Sequence, residues 1–354
     1  MRDRLAKLKY FALWQMILAR LREFSREPAA IFWVYVFPVM LMIALGVAFR
    51  NRPVEQMSVV VESGDRAEQT MQWLDADERF RVSVATAEDA RQRLRTGKAD
   101  LIVTPEDSGS TDYRYTLDPT RPGSLLARNA TDDALQRAAG REDLLVVVDH
   151  EVSEPGARYI DFLVPGLIGM GIMGGGLWGV GFAIVDMRIR KLLKRFLATP
   201  MNRSHFLAAV MISRLIYTLP ELVVLLVCAR YIFGVINQGS YVTVAVLILL
   251  GTVEFAGIGL LVASRAKTLE TISGLLNLVM LPMWMASGIF FSYDRFPESL
   301  QPLIRILPLT PLIDALRQTM LEGQTIAGLG SQLVVMAVWA ILTFFIGLRL
   351  FRWD

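Results

Sequence analysis

Two carboxylates stand inside otherwise apolar stretches of this 354-residue chain, Glu221 directly after Pro220 and Glu254 well within a later run. An ionisable group at membrane depth is costly and normally faces a cavity or a partner. Arg214 precedes Glu221 by two helical turns along one face, so an ion pair between them is within reach. Each carboxylate could line a translocation path or take part in a proton-coupled step. The alternative, favoured for Glu221, is a structural pair or a charge near the interface.

Other chemistry is scarce. The two histidines, His150 and His205, are far apart, and the single cysteine, Cys228, lies in an apolar run. Neither a disulfide framework nor a metal site is expected from them. Thr96-Gly97-Lys98-Ala99 lacks the upstream glycine and the Ser/Thr of a phosphate-cradling loop. No H-E-x-x-H, G-x-S-x-G or kinase-type set is found either. The chain is therefore expected to carry no catalytic residue, to bind no cofactor and to have no nucleic-acid partner. Any ATP-driven work would need a motor on another chain.

What must position these groups is legible from the apolar blocks. The composition is 53% hydrophobic, and Ala30–Phe49, Phe162–Val185, Val242–Val253, Thr271–Tyr293 and Gln332–Leu348 each run without a charge. A bilayer core of about 30 Å needs about 20 apolar residues in a helix. We read six spans at about 30–49, 162–185, 212–233, 241–263, 271–291 and 330–348. Arginines directly before the first span argue for a retained anchor rather than a cleaved signal.

Lysine and arginine in the flanks set the orientation. Arg2, Arg4, Lys7, Lys9, Arg20, Arg22 and Arg26 precede span one. Arg188, Arg190, Lys191, Lys194, Arg195 and Arg203 lie between spans two and three. Arg265 and Lys267 separate spans four and five, and Arg349 and Arg352 lie in the tail 349–354. In a six-span topology all four segments share one side, the cytoplasmic one, so both termini are expected inside. Residues 1–29 alternate apolar and basic positions as a helix lying in the cytoplasmic interface would, and Pro28 ends that helix.

Residues 50–161 form an extracytoplasmic insert with an α/β pattern. Strands are expected at Met57–Val61, Phe80–Val84, Ala99–Val103 and Tyr113–Leu117. Helices are expected at Ala67–Leu74, from Thr86 with its following Glu88 and Asp89 to Arg95, and at Ser124–Arg141. The expected fold class is thus an α-helical membrane protein with six transmembrane helices, an N-terminal interfacial helix and a small α/β extracytoplasmic domain between spans one and two. The membrane portion, 162–348, holds a coupling helix within 186–203 and an outer re-entrant segment at 292–329.

The segment 186–206 reads DMRIRKLLKRFLATPMNRSHF. Ile189, Leu192, Leu193, Phe196 and Leu197 make one apolar stripe on a short basic helix that Thr199-Pro200 stops. Such a helix suits docking in a partner's groove, and by composition alone it could equally be a positive flank with no partner.

This element resembles the intracellular loop of ABC-2 type transporter permeases, where a coupling helix precedes Leu-x-Thr-Pro, here Leu197-Ala198-Thr199-Pro200. Arg26-Glu27-Pro28, Phe37-Pro38, Gly46 and Asp161–Gly166 resemble that family's residues around spans one and two. Ser287–Phe291, followed by Pro297, Leu300-Gln301-Pro302, Leu307-Pro308 and Pro311, resembles its outer re-entrant region. The insert, with its turn at Gly97–Asp100, resembles the ectodomain of the drug-exporter-like branch. The chain departs where the family has Glu-x-x-x-Gly-Thr-x-Glu in the coupling helix, carrying basic residues instead.

The resemblance implies a permease subunit of an exporter that moves a hydrophobic small molecule or lipid-like substrate outward across a bacterial inner membrane. It implies a second permease chain, most simply a homodimer within membrane lipid, and cytoplasmic subunits that bind ATP and Mg. Arg188, Lys191, Leu192, Lys194, Arg195, Phe196, Thr199 and Pro200 would then face the ATP-binding subunit. Glu254, Met280, Met283, Trp284 and Ser287 are candidates for a substrate pathway, although the methionines and aromatics of span five could also be lipid-facing bulk. The GxxxG spacings Gly171/Gly175 and Gly175/Gly179 suggest close helix packing. Two rival readings are a proton-coupled secondary transporter using Glu221 and Glu254, and a non-transporting scaffold or sensor built around the insert.

Overall fold

The computed structural model describes residues 12–49, 56–106, 112–142, 156, 158–197 and 203–351. The chain divides into two compact units, Met1–Arg50 with Ser153–Asp354, and Asn51–Val152.

In the first unit, helix α1 (Ala12–Ser25) precedes α2 (Pro28–Ala48), the first of six helices among the described residues that are long and apolar enough to cross a membrane. Pro38 cannot hydrogen-bond to the carbonyl four residues back and crowds it, and the turn before it widens into a π-helical stretch, Phe32–Val36. Gly46 lets the helix meet span three, since a Cβ there would lie 2.6 Å from the Phe233 ring.

The second span is α6 (Tyr159–Ile189), numbered after the three helices of the other unit, α3 to α5, described below. The third to sixth are α8 (Arg203–Phe233), α9 (Tyr241–Ala263), α10 (Leu269–Ala286) and α13 (Gly330–Leu350). Between them lie the short α7 (Leu192–Leu197), α11 (Gln301–Ile306) and α12 (Leu309–Glu322).

Spans two and four are the centre: 67% of each one's most apolar window is buried, against 17–33% for the other four. Their glycines account for much of this. A Cβ on Gly176 would lie 2.4 Å from the Phe255 Cβ, and one on Gly259 would lie 2.4 Å from the Gly176 carbonyl oxygen. The two backbones therefore approach through residues without side chains.

Three boundaries differ from the sequence expectation. Span three is helical from Arg203, because a helix continues through polar residues that an apolar-run criterion leaves out. Span five ends at Ala286, and residues 287–291 leave the helix where Gly288 takes φ +81. The expected single helix after Asp186 is two: α6 continues to Ile189, and Lys191, at φ +59, turns the chain before α7 starts.

The second unit is a four-stranded sheet in the order β2-β1-β3-β4, with β1 (Met57–Glu62), β2 (Phe80–Ala85), β3 (Leu101–Pro105) and β4 (Tyr113–Leu117). β1 runs parallel to both β2 and β3, and β4 is antiparallel to β3. Right-handed crossovers to opposite sides of β1 place the intervening helices on opposite faces. On one face α3 (Ala67–Asp75) and α5 (Pro122–Ala138) cover Val59, Val61, Phe80, Leu101 and Val103. On the other, α4 (Ala87–Arg95) alone covers Val60, Ala85 and Ile102. The Thr86 hydroxyl caps α4 by accepting from the Asp89 amide, and Gly97 at φ +74 closes it.

Candidate functional site: the loop between spans two and three and the polar groups of the bundle

The loop between spans two and three is anchored before it is displayed. Arg188, a candidate for facing the partner, is tied to the bundle: its Nη1 donates to the carbonyls of Ala263 and Ala266, both at 2.8 Å. The Ala263 oxygen ends span four, where carbonyls lack intrahelical partners and a cation complements the helix dipole, and Ala266 lies in the turn that follows. The Arg188 guanidinium also lies 5.4 Å from the centre of the Phe351 ring, just past span six. Arg190 pairs with Asp186 at 2.9 Å along the last turn of α6. After the left-handed Lys191, α7 buries Leu193, half-buries Leu192 and leaves Lys191, Lys194 and Arg195 exposed. The side chain of Phe196, and Thr199 and Pro200 entirely, lie outside the described residues.

Inside the bundle the pair suggested by spacing is formed. Arg214 Nη2 donates to Glu221 Oε2 at 3.0 Å and to the carbonyl of Gly171 at 3.3 Å, with the two side chains 5% and 6% exposed. The glycines of span two make room for it. A Cβ on Gly171 would lie 2.2 Å from Glu221 Oε1, one on Gly175 1.6 Å from Arg214 Nη2, and one on Gly179 3.2 Å from Arg214 Cδ. Gly171, Gly175 and Gly179 thus hold an ion pair carried by span three. Backbone meets backbone at Gly176, Gly181 and Gly259.

Glu254 is fully buried, and neither carboxyl oxygen has a hydrogen-bond partner among the described residues. One turn before it Gly251 abuts Leu312 and Ile172, and one turn after it Gly257 abuts Thr343 and Phe344. Met280 and Met283 are buried, and Met280 Sδ accepts from the Trp178 indole at 3.2 Å. Ser287 is buried just past the end of α10, while Trp284 lies at the surface of the bundle with Leu281 and Met285. No described hydrogen bond joins these residues to Glu254.

Two further polar clusters were not singled out from sequence. Arg158 grips Asp161 with two bonds of 2.9 Å and reaches the Phe233 carbonyl at 2.9 Å, tying the start of span two to the end of span three. Arg317 on α12 stacks 3.7 Å from the Phe162 ring centre and donates to the carbonyls of Phe162 and Gly288. Asp314, one turn earlier, accepts from the Tyr293 hydroxyl at 3.1 Å. The readable signal was a charge pair three residues apart in each case, Arg158/Asp161 and Asp314/Arg317.

Comparison with known proteins places this geometry. Residues 28–349 match the family described as ABC-2 family transporter protein. Over 176 residues the chain is 25% identical to the linearmycin resistance permease protein LnrN of Bacillus subtilis (strain 168), covering 50% of this chain and 46% of that one. It is 27% identical over 203 residues to the inner membrane transport permease YadH of Escherichia coli (strain K12), covering 56% and 75%. It is 33% identical over 98 residues to nodulation protein J of Rhizobium leguminosarum bv. viciae, covering 28% and 38%. The chain thus spans less than half the length of the first and third of these relatives.

Proposed function

The chain belongs to the ABC-2 transporter family, and from that premise we propose that it is the membrane-spanning subunit of an ATP-driven exporter. The observation that carries this reading is α7, a short basic helix seated on the bundle by Leu193 with Lys194 and Arg195 left exposed. An exposed helix set between two spans suits the groove of a cytoplasmic partner. That partner would supply ATP and Mg, and closure of two such motors would push α7 against the ends of spans two and three.

In this reading the working unit is a pair of these chains with two ATP-binding subunits, in a bacterial inner membrane. The basic flanks favour both termini and α7 on the cytoplasmic side, which leaves the sheet-containing unit outside. The substrate in this reading is the hydrophobic or lipid-like small molecule that the family resemblance implies.

The test is reconstitution with an ATP-binding subunit in proteoliposomes. Lys191→Glu, Lys194→Glu and Arg195→Glu together are expected to separate ATP hydrolysis from transport. Normal binding of the motor and normal pumping by this variant would overturn the coupling role. A second reading, proton-coupled transport, rests on Glu254, whose carboxyl has no partner among the described residues, since Glu221 is committed to Arg214. It requires transport that persists on ATP depletion and collapses with the proton gradient.

A further inference from the structure

The unit 51–152 carries a cleft of about 540 Å³ on the sheet face that α4 only partly covers, lined by Ser58, Arg81, Ser83, Asp89, Gln92, Arg93, Thr96 and Lys98. This volume lies in the range of small-molecule sites. The lining departs from such sites in one respect, because every side chain in it is polar or charged.

The register explains how the cleft forms. Ser58 lies beside Arg81 and Val60 beside Ser83, so Ser58, Arg81 and Ser83 share one face of the sheet. The apolar patch under α4 is small, Val60, Ala85 and Ile102 with Ala90 and Ala99. Beyond it the helix and the sheet separate, and polar side chains border the gap.

Three cations meet there against one carboxylate. Arg93 is spoken for: its Nη2 pairs with Asp89 at 2.7 Å and its Nη1 donates to Ser83 Oγ at 3.3 Å. Arg81 and Lys98 have no acidic partner among the described residues. Lys98 is nonetheless held in place, because its amide donates to the Arg93 carbonyl at 2.9 Å and its carbonyl accepts from the Ser58 hydroxyl at 3.0 Å. Gly97, at φ +74, fixes the turn that delivers it. An arginine from the edge strand and a lysine from a fixed turn therefore flank a polar gap without a counter-charge.

We propose that this cleft binds an oxyanion-bearing ligand through a phosphoryl group, with Arg81 and Lys98 as its charged contacts and the Gln92 amide as a neutral donor. Arginine and lysine both recognise phosphate, the former as a fork and the latter as a point charge. The group could belong to a soluble phosphorylated molecule or to a lipid headgroup, and the experiment separates the two.

Full-length protein in detergent is titrated calorimetrically with inorganic phosphate and with glycerol phosphate. The same protein in nanodiscs of phosphatidylglycerol, and separately of phosphatidylcholine, is followed by amide exchange at 81–83 and 92–98. Arg81→Glu and Lys98→Glu are each expected to weaken binding at least about tenfold with the unfolding midpoint unchanged. Arg128→Glu, on α5 across the sheet, should leave it intact. Binding of the free anions assigns a soluble ligand. Protection only in phosphatidylglycerol, lost in both cleft variants, assigns a lipid headgroup. If no probe binds, or if Arg128→Glu weakens binding as much as Arg81→Glu, the proposal fails. The cations would then serve only to guard the edge strand β2 and to complement the C-terminus of α4.

Discussion

Arg214 and Glu221 sit seven residues apart on span three with a 3.0 Å bond between them, and both are buried. Burying two charges is offset only when each satisfies the other, and removing one leaves the other stranded at a cost of about 3–5 kcal/mol. Arg214→Met and Glu221→Met are therefore each expected to destabilise the protein strongly. The double variant should recover most of the loss. Thermal unfolding of the three variants in detergent forms the cycle, and additive losses would show that the pair is not coupled.

The glycines of span two make a sharper contrast. A methyl group on Gly175 would meet the Arg214 guanidinium at 1.6–2.0 Å, whereas Gly174, its neighbour, has nothing within 4 Å. Gly175→Ala should cost about 1–3 kcal/mol through overpacking. Gly174→Ala should be neutral or stabilise by up to about 1 kcal/mol, because alanine loses less backbone freedom in a helix. Equal unfolding midpoints for the two variants would contradict the groove described here.

These cases show what sequence could and could not supply. Spans, the sheet unit and the Arg214–Glu221 pair follow from local periodicity, which a one-dimensional pattern records. Which neighbour fills the space beside a glycine is a tertiary fact: glycines of one helix serve an ion pair at Gly171, Gly175 and Gly179 and backbone contact at Gly176 and Gly181. The bonds of Arg188 were hidden for a related reason. Its position in a basic run suggested a partner, but only packing brings the end of span four within 2.8 Å of it. Lys191 breaks the helix through a positive φ that no glycine announces.

In the sheet unit, Asp77 accepts from the Arg79 guanidinium at 2.6–3.0 Å and from the Arg79 amide at 3.0 Å. Chiefly through the side-chain bond, Arg79 holds the Asp77 carboxyl below its ordinary value of 3.8. A carboxyl with a lowered folded value contributes stability above its unfolded value, and that contribution is lost as pH falls through the folded one. Asp77→Asn should therefore weaken protection of the Asp77–Phe80 turn in amide exchange at neutral pH. The difference from the unsubstituted protein should narrow as pH drops below about 4. A gap that widens in acid would reverse the assignment.

Glu254 presents the opposite situation, a buried carboxyl whose two oxygens find no partner among the described residues. An unsatisfied buried polar group costs about 1–3 kcal/mol, so Glu254→Leu should raise the unfolding midpoint. Natural chains retain such a group where function needs it, and transport by the stabilised variant should fall. Lower stability instead would mean that the carboxyl has a structural partner.

Arg188 offers the clearest separation of stability from coupling. Its two bonds, to the Ala263 carbonyl that ends span four and to the Ala266 carbonyl in the turn beyond it, are charge-assisted and partly buried, and its loss should cost about 1.5–3 kcal/mol. Loss of the neighbouring Arg190, exposed in its pair with Asp186, should cost under about 1 kcal/mol. Because Arg188 joins the base of the loop to span four, any push on α7 would reach span four through it as well as spans two and three. Arg188→Gln keeps a donor but removes the charge. In reconstituted vesicles this variant is expected to bind the ATP-binding subunit normally, hydrolyse ATP at the unstimulated rate and transport poorly. Arg190→Gln should do all three normally. If Arg188→Gln instead fails to bind the motor, the residue acts at the partner surface and the internal strut is wrong.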